Sequence, residues 1–411
     1  MNLERVRIEK IVSGALGLAR VEGQVVLLAG ALPGELVMAR VTARKGRLEG
    51  EVETVLEPSP GRVSLPRGAP PTMDFGFADY ATQLTCKQSI VQDSLERIGK
   101  LEFEVLPTQG SPLEWRYRNT AQYMVTPLGL AYRERASHDA KVIRDDPLVC
   151  EYISTGIQDL DLRLLEPASE IAFRASIETG EVLVALVGIG KSREYYSARE
   201  HLRDLGVTGV SFAFASTTGR FRDGVQHLWG AESILERYGN FDLSVTATSF
   251  AQVNPLAAGK LYQRVAELAN PGSSVLDLYG GAGGMALHLS QKFESVTVLE
   301  INPESIDRGR QDAGRLGVLN LNFVQGDASR LEKYPSDVIT VDPPRAGLST
   351  DALNALLRAQ ANQVIYVSCD PGTWARDAGK LVRAGYNLKH VEPWDFYPHT
   401  SHVEVLSIFE L

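Results

Sequence analysis

Residues 255 to 411 repeat one pattern, in which short apolar runs alternate with stretches of helical periodicity. The apolar runs predict strands at 275–279, 295–299, 321–324, 337–341, 363–368 and 403–409. The periodic stretches predict helices at 256–269, 284–291, 303–316, 350–359 and 372–384. Strands that alternate with helices are typical of a doubly wound, mainly parallel sheet, so we predict a Rossmann-like α/β domain. Such sheets place their binding sites beyond the carboxyl ends of the strands.

The remainder of the chain is predicted to form further domains, because 411 residues exceed what one hydrophobic core usually holds. Residues 1–60 alternate short β-type runs with glycine turns, which predicts a small β-barrel. Residues 61–235 mix strands with a helix at 86–99, which predicts a central α+β domain. The Rossmann-like domain then occupies residues 236–411.

Composition and cysteine content limit the classes of protein to which this chain can belong. No apolar run approaches the roughly 20 residues needed to cross a bilayer, and the N-terminus lacks the apolar region of a secretory signal, so we expect a cytoplasmic protein without a membrane partner. Three cysteines, Cys86, Cys150 and Cys369, are too few and too scattered for a disulfide framework. No Cys-x-x-Cys pair is present for a metal.

Two local clusters are candidate contacts with nucleic acid, although the net charge of −9 argues weakly against it. Arg40, Arg44, Lys45 and Arg47 lie on one predicted hairpin, where they form either a phosphate contact or a solvated turn. Trp115-Arg-Tyr-Arg-Asn interleaves aromatic residues with arginines. That pattern suits base stacking and phosphate contact, and it also suits an ordinary strand edge.

A glycine-rich turn, within Val275–Ala286, follows the first predicted strand of the Rossmann-like domain. Glycines allow the backbone to approach a ligand closely, and Glu300 at the end of the next strand can accept hydrogen bonds from ribose hydroxyls. The turn also fits the dinucleotide pattern, so NAD is an alternative on this segment alone. Asp277 before the glycines and Asp327 after the third strand favour S-adenosylmethionine, although either alone is compatible with a solvated carboxylate.

The loop Asp342-Pro-Pro-Arg345 follows another apolar strand. Two prolines hold its backbone extended and rigid, and a plain Pro-Pro turn is the alternative interpretation. The loop resembles the Asp/Asn-Pro-Pro-aromatic loop of methyltransferases that act on exocyclic amines of bases, with arginine in place of the aromatic residue. Asp342 can accept from a ring N–H and Arg345 can donate to carbonyl oxygens, which suits uracil better than adenine.

Cys369 ends the apolar run Val364–Ser368 and precedes an Asp-Pro turn. It is therefore predicted at the carboxyl end of a strand, where active sites of such sheets lie. Cysteine is strongly nucleophilic at neutral pH, which favours covalent catalysis. A lone cysteine after an apolar run is more often an inert core residue, so its neighbours decide between the two.

Taken together, these motifs resemble the RNA uracil-C5 methyltransferases of the RumA, TrmA and RlmCD group. Five blocks carry the resemblance, in the family's order over nearly the whole chain: Ser249–Asn254, Val275–Gly284, Asp342–Gly347, Tyr366–Pro371 with Ala375–Asp377, and Pro398–Glu404. The N-terminal barrel resembles the family's TRAM domain, which is OB-like and binds RNA. The resemblance implies an S-adenosylmethionine-dependent methyltransferase that makes 5-methyluridine in RNA.

The resemblance also implies roles for individual residues. Cys369 corresponds to the nucleophile that adds to carbon 6 of uracil, and Glu404 corresponds to the base that removes the proton on carbon 5. The implied cofactor contacts are Gln252, Tyr279, Glu300, Asp327 and Asp342. The implied substrate contacts are Phe250, Asp342, Arg345 and His399. The target base is expected to be flipped out of its stack, because a thiol in a cleft cannot otherwise reach carbon 6.

One departure from the family concerns an iron–sulfur cluster, which many relatives hold with four cysteines. Three of those cysteines precede a Tyr-x-x-Gln-Leu-x-x-Lys segment, which is present here as Tyr80–Lys87. The preceding stretch 66–79 contains no cysteine, and Asp146 stands where the fourth ligand is expected. We therefore predict neither a cluster nor another metal. Gly280 stands where relatives often have cysteine, a difference that we expect to be neutral.

Several functions remain open at this point. We expect a monomer that acts on 23S ribosomal RNA, because cluster-free relatives with a TRAM barrel tend to be ribosomal enzymes, and the T-loop uridine of tRNA is the alternative. A non-catalytic RNA-binding protein and an NAD oxidoreductase are alternatives from other classes. An RNA cytosine-C5 enzyme is disfavoured, because its base-binding loop usually carries a second cysteine, which is lacking at 342–345.

Overall fold

The computed structural model of the protein describes residues 2–44, 46–66, 68–133, 140–216 and 221–411. The N-terminal part is a six-stranded sheet in the order β1-β5-β6-β4-β3-β2. Its strands are β1 Asn2–Arg7, β2 Lys10–Val12, β3 Leu16–Val21, β4 Gln24–Ala29, β5 Leu36–Arg44 and β6 Arg47–Glu57. All pairs are antiparallel except β4 with β6. Alternate apolar side chains, among them Val26, Leu28 and Val37, are fully buried and form its core.

Of the four basic residues predicted on one hairpin of this sheet, Arg40 forms an exposed ion pair with Glu53, with 3.2 Å between guanidinium nitrogen and carboxylate oxygen. Lys45 and the side chain of Arg44 lie outside the described residues. Arg47 begins β6 and is exposed.

The central part begins with helix α1, Tyr80–Ser94, which continues into a π-helical turn, Leu95–Gly99. The helix starts six residues earlier than its apolar spacing predicts, because the Asp79 side chain accepts a hydrogen bond from the Thr82 N–H and caps it. Val91 and Leu95 are buried in the same core as the C-terminal sheet. Helix α1 is therefore packed against the domain that follows it by nearly 200 residues.

A seven-stranded sheet forms the rest of the central part, in the order β13-β12-β11-β10-β7-β8-β9. Its strands are β7 Thr120–Thr126, β8 Gly129–Arg133, β9 Ala140–Val142, β10 Glu170–Ala175, β11 Val182–Gly188, β12 Gly209–Phe214 and β13 Val225–Gly230. Its helices are α2 Glu151–Gln158 and α3 Tyr196–Asp204, with short 3-10 helices at Leu162–Leu164 and Ser192–Tyr195. A hairpin, β14 Ile234–Tyr238 and β15 Phe241–Val245, follows. The predicted boundary between residues 235 and 236 lies inside β14.

The C-terminal part confirms the predicted Rossmann-like sheet, in the order β18-β17-β16-β19-β20-β22-β21. Its strands are β16 Ser274–Leu278, β17 Ser295–Glu300, β18 Leu321–Gln325, β19 Val338–Val341, β20 Gln363–Ser368, β21 Asn387–Trp394 and β22 Glu404–Glu410. Its helices are α4 Pro255–Leu268, α5 Gly284–Leu289, α6 Pro303–Leu316, α7 Thr350–Ala359 and α8 Pro371–Arg383, with a 3-10 helix at Ala328–Lys333.

Strand order decides where a ligand can bind in this sheet. The chain moves outward from β16 through β17 to β18, and then returns to place β19 on the other side of β16. A crevice forms at such a reversal, beyond the carboxyl ends of the two central strands. Tyr279 follows β16 and Asp342 follows β19, so both predicted loops begin at this crevice.

Strand β22 runs antiparallel to both of its neighbours, β20 and β21, and β21 closes the edge of the sheet. Strand β22 inserts between β20 and β21, so its amino end lies at the same edge as the carboxyl end of β20. Strand β21 was not predicted from the sequence, because it is polar over its first half and contains Pro393. Proline is tolerated there because β21 is an edge strand. No helix in the described part of the chain is long and apolar enough to span a bilayer.

Candidate active site

A cavity of about 740 Å³ opens at the carboxyl edge of the C-terminal sheet. Backbone and side chains from the loops after β16, β17, β19 and β20 line it, together with the start of β22 and the hairpin β14–β15. The predicted site residues that line it are Phe250, Gln252, Tyr279, Glu300, Asp342, Arg345, Cys369 and Glu404. The structure therefore brings together residues that are separated by up to 154 positions in the sequence.

The glycine-rich turn forms one wall of the cavity. Tyr279 adopts a left-handed backbone conformation, with φ of +60°, and Gly281 and Gly283 do the same at +57° and +83°. Strained conformations of this kind cost energy for a residue with a side chain and are concentrated at ligand sites. The Gly281 N–H donates to a Glu300 carboxylate oxygen at 3.1 Å, so the end of β17 is attached to the turn.

Asp277 lies beneath this turn and is fully buried. Its Oδ1 accepts from the Thr340 hydroxyl at 2.7 Å, whereas its Oδ2 has no hydrogen-bond partner in the described structure. Burial raises the pKa of Asp277 to about 7. A Cβ added at Gly280 would lie 2.5 Å from that Oδ2 and 2.8 Å from Val298 Cγ1. Glycine at residue 280 therefore avoids a collision, so its replacement of the cysteine found in relatives is not the neutral difference that we expect from the sequence.

These features fit S-adenosylmethionine. Because Gly280 and Gly281 have no side chains, a ligand can approach the backbone closely there. Glu300 presents a carboxylate at the end of β17. Asn302 and Ser305 add polar side chains to the same wall. Asp327 does not line the cavity: it is exposed, and its carboxylate accepts from the Ser329 N–H at 2.8 Å and caps a 3-10 helix.

The Asp342-Pro-Pro-Arg345 loop forms the opposite wall of the cavity, as its position after strand β19 predicts. Burial, followed by the negative charge of Asp277, raises the pKa of Asp342 to about 7. The Arg345 guanidinium lies 3.4 Å from the ring nitrogens of His402, and the Arg345 carbonyl accepts from Thr373 Oγ1 at 3.0 Å. The loop is thus anchored at its carboxyl end, while Asp342 and Arg345 both reach the cavity.

Cys369 lies at the carboxyl end of β20, immediately before helix α8, and is half-buried in the cavity wall. Burial, followed by the charges of Glu404 and Asp342, raises the pKa of its thiol to about 12, and Arg345 opposes this effect. The other two cysteines are buried in the protein interior away from the cavity, with thiol pKa values raised by burial. Within the described residues, Cys369 is therefore the cysteine presented to a ligand.

Glu404 begins β22 and has 3% of its surface exposed. Burial, followed by repulsion from Asp342, raises the pKa of this carboxyl group to about 8, and Arg345 opposes that effect. The antiparallel register pairs Ser368 with Val405, so one further step places Cys369 across from Glu404. A nucleophile and a carboxyl group whose pKa lies near neutrality thus face one cavity, which suits addition and proton removal on one substrate ring.

His399 is not brought to the cavity, although the family resemblance implied a substrate contact. It is 4% exposed, and its ring stacks on Trp115 with 3.7 Å between centroids. His402 and Tyr397 line the cavity instead. A left-handed turn at His399, with φ of +65°, directs its ring away from the cavity, and sequence spacing alone carries no signal for such a turn.

Two further cavity residues, Arg222 and Arg308, were not predicted. Arg222 comes from the loop between β12 and β13, and Arg308 lies on α6. Burial lowers the pKa of Arg308, and the nearby carboxylates of Glu304 and Asp312 oppose this effect. Their sequence surroundings are those of ordinary surface arginines, so only the fold could identify them.

Among the described residues, no group of three or more histidine, cysteine, aspartate or glutamate side chains could hold a metal ion. Asp146, at the position of the family's fourth cluster ligand, is buried and accepts hydrogen bonds from the Tyr132 hydroxyl at 2.6 Å and the Leu148 N–H at 3.0 Å. Cys150 lies nearby on helix α2's amino end. The carboxylate is thus engaged with protein groups.

Comparison with known proteins gives matches over the whole chain. Residues 322–410 match the family described as tRNA (uracil-5-)-methyltransferase, and residues 276–342 match a methyltransferase domain. An uncharacterised RNA methyltransferase of Halalkalibacterium halodurans is 34% identical over 99% of this chain and 96% of its own length. A second, from Listeria innocua, is 30% identical over 98% of this chain and 96% of its own.

A solved structure is similar over the same extent. The tRNA (uracil-54, C5)-methyltransferase of Pyrococcus abyssi, in complex with S-adenosyl-L-homocysteine, superposes with a TM-score of 0.81. It is 25% identical, and the match covers 98% of this chain and 99% of that one. All three parts of the chain described above therefore lie within the similarity.

Proposed function

Because the chain belongs to the RNA uracil-C5 methyltransferase family, we propose that it methylates carbon 5 of a uridine in 23S ribosomal RNA. The protein is an S-adenosylmethionine-dependent RNA methyltransferase; the identity of the RNA is the part proposed here. The observation that carries the proposed chemistry is the convergence of Cys369, Glu404 and the Asp342–Arg345 loop on one cavity beside the glycine turn.

The family resemblance supports ribosomal RNA as the target. The chain carries an N-terminal sheet at residues 2–57 and no cysteine in residues 66–79. In the family that it resembles, members without a cluster but with an N-terminal barrel tend to be ribosomal enzymes. We further propose that the N-terminal and central sheets bind RNA, and that the enzyme acts as a monomer in the cytoplasm.

Uridine 54 of tRNA is the second candidate. The similarity to the Pyrococcus abyssi enzyme, whose name specifies that nucleotide, extends over 98% of this chain and includes the N-terminal sheet. Mapping 5-methyluridine by mass spectrometry in 23S ribosomal RNA and tRNA from a deletion strain distinguishes the two. Loss of the modification from 23S RNA alone supports the proposal, and loss from tRNA alone supports the second candidate.

S-adenosylmethionine would be held between the glycine turn and the Asp342 loop. Glu300 is placed to accept from the ribose hydroxyls, Tyr279 to pack against the nucleoside, and Gln252 to contact the side that faces the base. Asp327, although exposed, remains close enough for its charge to contribute to the raised pKa of Tyr279. When bound, the cofactor supplies an electrophilic methyl group.

The uracil ring would lie against the Asp342–Arg345 loop. The Asp342 carboxylate accepts from the ring N–H, and the Arg345 guanidinium donates to a ring carbonyl oxygen. Phe250, which is 88% exposed at the cavity mouth, is available to pack on a base that has left its stack. An exposed phenylalanine of this kind is costly in water and is explained by an occupant such as a flipped base.

Cys369 would act as the nucleophile. Once the thiol has given its proton to solvent, its sulfur would form a bond to carbon 6, and the ring electrons would shift to make carbon 5 nucleophilic. Carbon 5 would then take the methyl group of S-adenosylmethionine as the bond between that methyl group and the sulfonium sulfur breaks and S-adenosylhomocysteine leaves, so that carbon 5 carries both methyl and hydrogen. Burial raises the pKa of the thiol to about 12, and the charge of Arg345 opposes this effect, so Arg345 favours the thiolate and would also stabilise negative charge on the ring oxygen.

Glu404 would complete the reaction. Its carboxylate removes the proton from carbon 5, the electron pair restores the double bond between carbons 5 and 6, and the bond between sulfur and carbon 6 breaks. The pKa of about 8 makes it a stronger base than an exposed glutamate. Its position across from Cys369 supports this role, because a ring bonded to that sulfur would lie beside the carboxylate.

Arg222 and Arg308 would bind phosphates of the RNA that flank the flipped nucleotide. Arg222 lines the cavity from the loop after β12, and Arg308 lines it from helix α6. The carboxylates of Glu304 and Asp312 act on the charge of Arg308 only in part, because burial still lowers its pKa. A partly desolvated arginine gains from a charged oxygen ligand. This local positive charge lets a chain with a net charge of −9 bind a polyanion.

Incubation of wild type and Cys369→Ala with RNA that contains 5-fluorouridine tests the chemistry. Fluorine at carbon 5 cannot leave as a proton does, so the proposed reaction predicts a complex between protein and RNA that survives denaturation and requires Cys369. Methyl transfer from labelled S-adenosylmethionine to unmodified RNA provides the second measurement. A wild type that binds RNA without either result would be a non-catalytic RNA-binding protein.

A further inference from the structure

One segment contains two cavity residues and leads directly to a third. Asp395–His402 connects β21 to β22; Tyr397 and His402 of this segment line the cavity, and Glu404 follows two residues later. The segment contains no helix or strand, and it has a turn in which the Thr400 hydroxyl donates to the Tyr397 carbonyl at 2.8 Å. Neighbouring parts of the protein also hold it: the Asp74 carboxylate accepts from the Ser401 N–H and hydroxyl at 2.8 Å, and helix α1 contacts its first half.

Lys87 of helix α1 contacts the start of this segment from the protein interior. Its side chain is fully buried, and its Nζ donates to Asp395 Oδ1 at 2.6 Å and to the Tyr397 carbonyl at 3.1 Å. The same Asp395 oxygen accepts from the Tyr397 N–H at 3.0 Å. A buried ammonium and carboxylate are tolerated only as a well-bonded pair, so this arrangement allows little alternative geometry.

Gln83 contacts the middle of the segment. Its Oε1 accepts from the His399 N–H at 2.7 Å, and its Nε2 lies 3.1 Å from His399 Nδ1. His399 has a φ of +65°, in the left-handed region that residues with side chains seldom adopt. Such a conformation persists only where the surroundings over-determine it, and here stacking on Trp115 adds to the two contacts from Gln83.

Gln83 and Lys87 are four residues apart on one helix, so they lie on the same face one turn from each other. They belong to the Tyr80–Lys87 segment, which the proposed chemistry does not use. Neither residue lines the cavity. Among the described residues, their side-chain hydrogen bonds go to Asp395–His402, except for one from Gln83 Nε2 to the Ala78 carbonyl.

We propose that Gln83 and Lys87 are positioning residues for the reaction. They hold Asp395–His402 in the one conformation that directs Tyr397, His402 and Glu404 into the cavity. The inference rests on the proposed function of Glu404 in removing the carbon 5 proton. Helix α1 thereby acts on the last step of catalysis without touching the substrate.

The test compares Gln83→Leu and the double variant Lys87→Met/Asp395→Leu with wild type. The double variant removes both buried charges together, and Gln83→Leu changes no charge, so each avoids leaving an unpaired ion. Misplacement of Glu404 slows proton removal and leaves the addition of Cys369 intact. We therefore expect kcat to fall about tenfold or more, with the KM for S-adenosylmethionine within about twofold of wild type.

The decisive readout is the fraction of enzyme in a denaturation-resistant complex with unmodified uridine RNA during turnover. Slower release of the methylated ring should raise that fraction above wild type, whereas a loosened fold would lower it together with kcat. Turnover within about twofold of wild type in both variants, or a parallel loss of complex and turnover, overturns the inference. If the double variant does not fold, Gln83→Leu alone decides.

Lys10→Met is the matched control. Lys10 forms an ion pair with Asp93 on the same helix but contacts no residue of Asp395–His402 in the described structure. It should leave kcat and the complex fraction unchanged. A wild type that forms no Cys369-dependent complex with 5-fluorouridine RNA contradicts the proposed function itself, whereas normal wild-type behaviour with unaffected variants contradicts only the positioning role.

Discussion

Cys369 and Glu404 lie across from each other on neighbouring antiparallel strands, because the register that pairs Ser368 with Val405 extends by one residue to them. The two side chains face one cavity, and the Glu404 charge contributes to the raised pKa of the Cys369 thiol. A reaction that forms a bond to sulfur and then removes a proton from the adjacent carbon needs these two groups on one side of a planar ring. The antiparallel insertion of β22 provides that arrangement.

Glu404→Gln should separate addition from release. The amide cannot remove the carbon 5 proton, so kcat should fall about 10³-fold while Cys369 still bonds to the ring. We expect a denaturation-resistant complex with unmodified uridine RNA to accumulate in this variant. Gel electrophoresis under denaturing conditions measures it, with Glu410→Gln at the other end of β22 as the control. Absence of the complex in Glu404→Gln would assign Glu404 a different role.

The pH dependence of turnover should report the Glu404 carboxyl group. Its pKa is raised to about 8, and the base form is the deprotonated one, so kcat should rise with pH up to that region. The charge of Asp342 contributes to this pKa, so Asp342→Asn should move the rise to lower pH as well as reduce kcat. Asp351→Asn, at an exposed position of helix α7, is the control. An unchanged profile in Asp342→Asn contradicts the coupling.

Asp277→Asn should stabilise the protein at alkaline pH. The pKa of Asp277 is raised from 3.8 to about 7 in the folded state, so folding favours the protonated form. Its stabilising effect is complete below pH 4 and is lost as the pH rises through 7. Asparagine stays neutral and can still accept from Thr340, so at pH 8 we expect a gain of about 1–2 kcal/mol in the free energy of unfolding. Urea titrations at pH 5 and pH 8 measure it, and a gain of equal size at both pH values contradicts ionisation as the cause.

Gly280→Ala should lower both stability and cofactor binding. The added Cβ would lie 2.5 Å from Asp277 Oδ2 and 2.8 Å from Val298 Cγ1, both in the buried interior. Relief of such crowding costs about 1–3 kcal/mol. Thermal unfolding and calorimetric titration with S-adenosylmethionine measure the two effects. Gly314→Ala, where nothing lies within 4 Å of an added Cβ, is the control and should not destabilise.

Arg308→Ala should weaken RNA binding and leave the KM for S-adenosylmethionine unchanged. Loss of one phosphate contact predicts about a tenfold weaker affinity at low salt and a salt slope reduced by about one ion. Filter binding at several salt concentrations measures it. Arg310→Ala on the same helix, whose guanidinium pairs with Asp307 and donates to a backbone carbonyl, is the matched control. A selective rise in the cofactor KM would show that Arg308 binds the cofactor instead.

Much of the C-terminal sheet could be predicted because its signals are local. Buried parallel strands such as β20, with every residue buried, are continuous apolar runs, and capped amphipathic helices such as α6 alternate with them. Cys369 and Asp342 could be placed at strand ends for the same reason. Strand β21 could not be predicted from the sequence, because its first half is polar and it contains Pro393. Such a segment can form a strand only at the edge of a sheet, where β21 pairs with β22.

The sequence by itself determined the alternation of strands and helices, the glycine turn, and the chemical types of the reactive side chains. Only the tertiary structure decided which residues meet: that Glu404 faces Cys369, that His402 lines the cavity while His399 stacks on Trp115, and that Arg222 and Arg308 converge. Periodicity and strand ends depend on neighbours within a few residues. Strand register, a left-handed turn and the meeting of distant loops depend on packing between segments far apart in the chain, which no local pattern encodes.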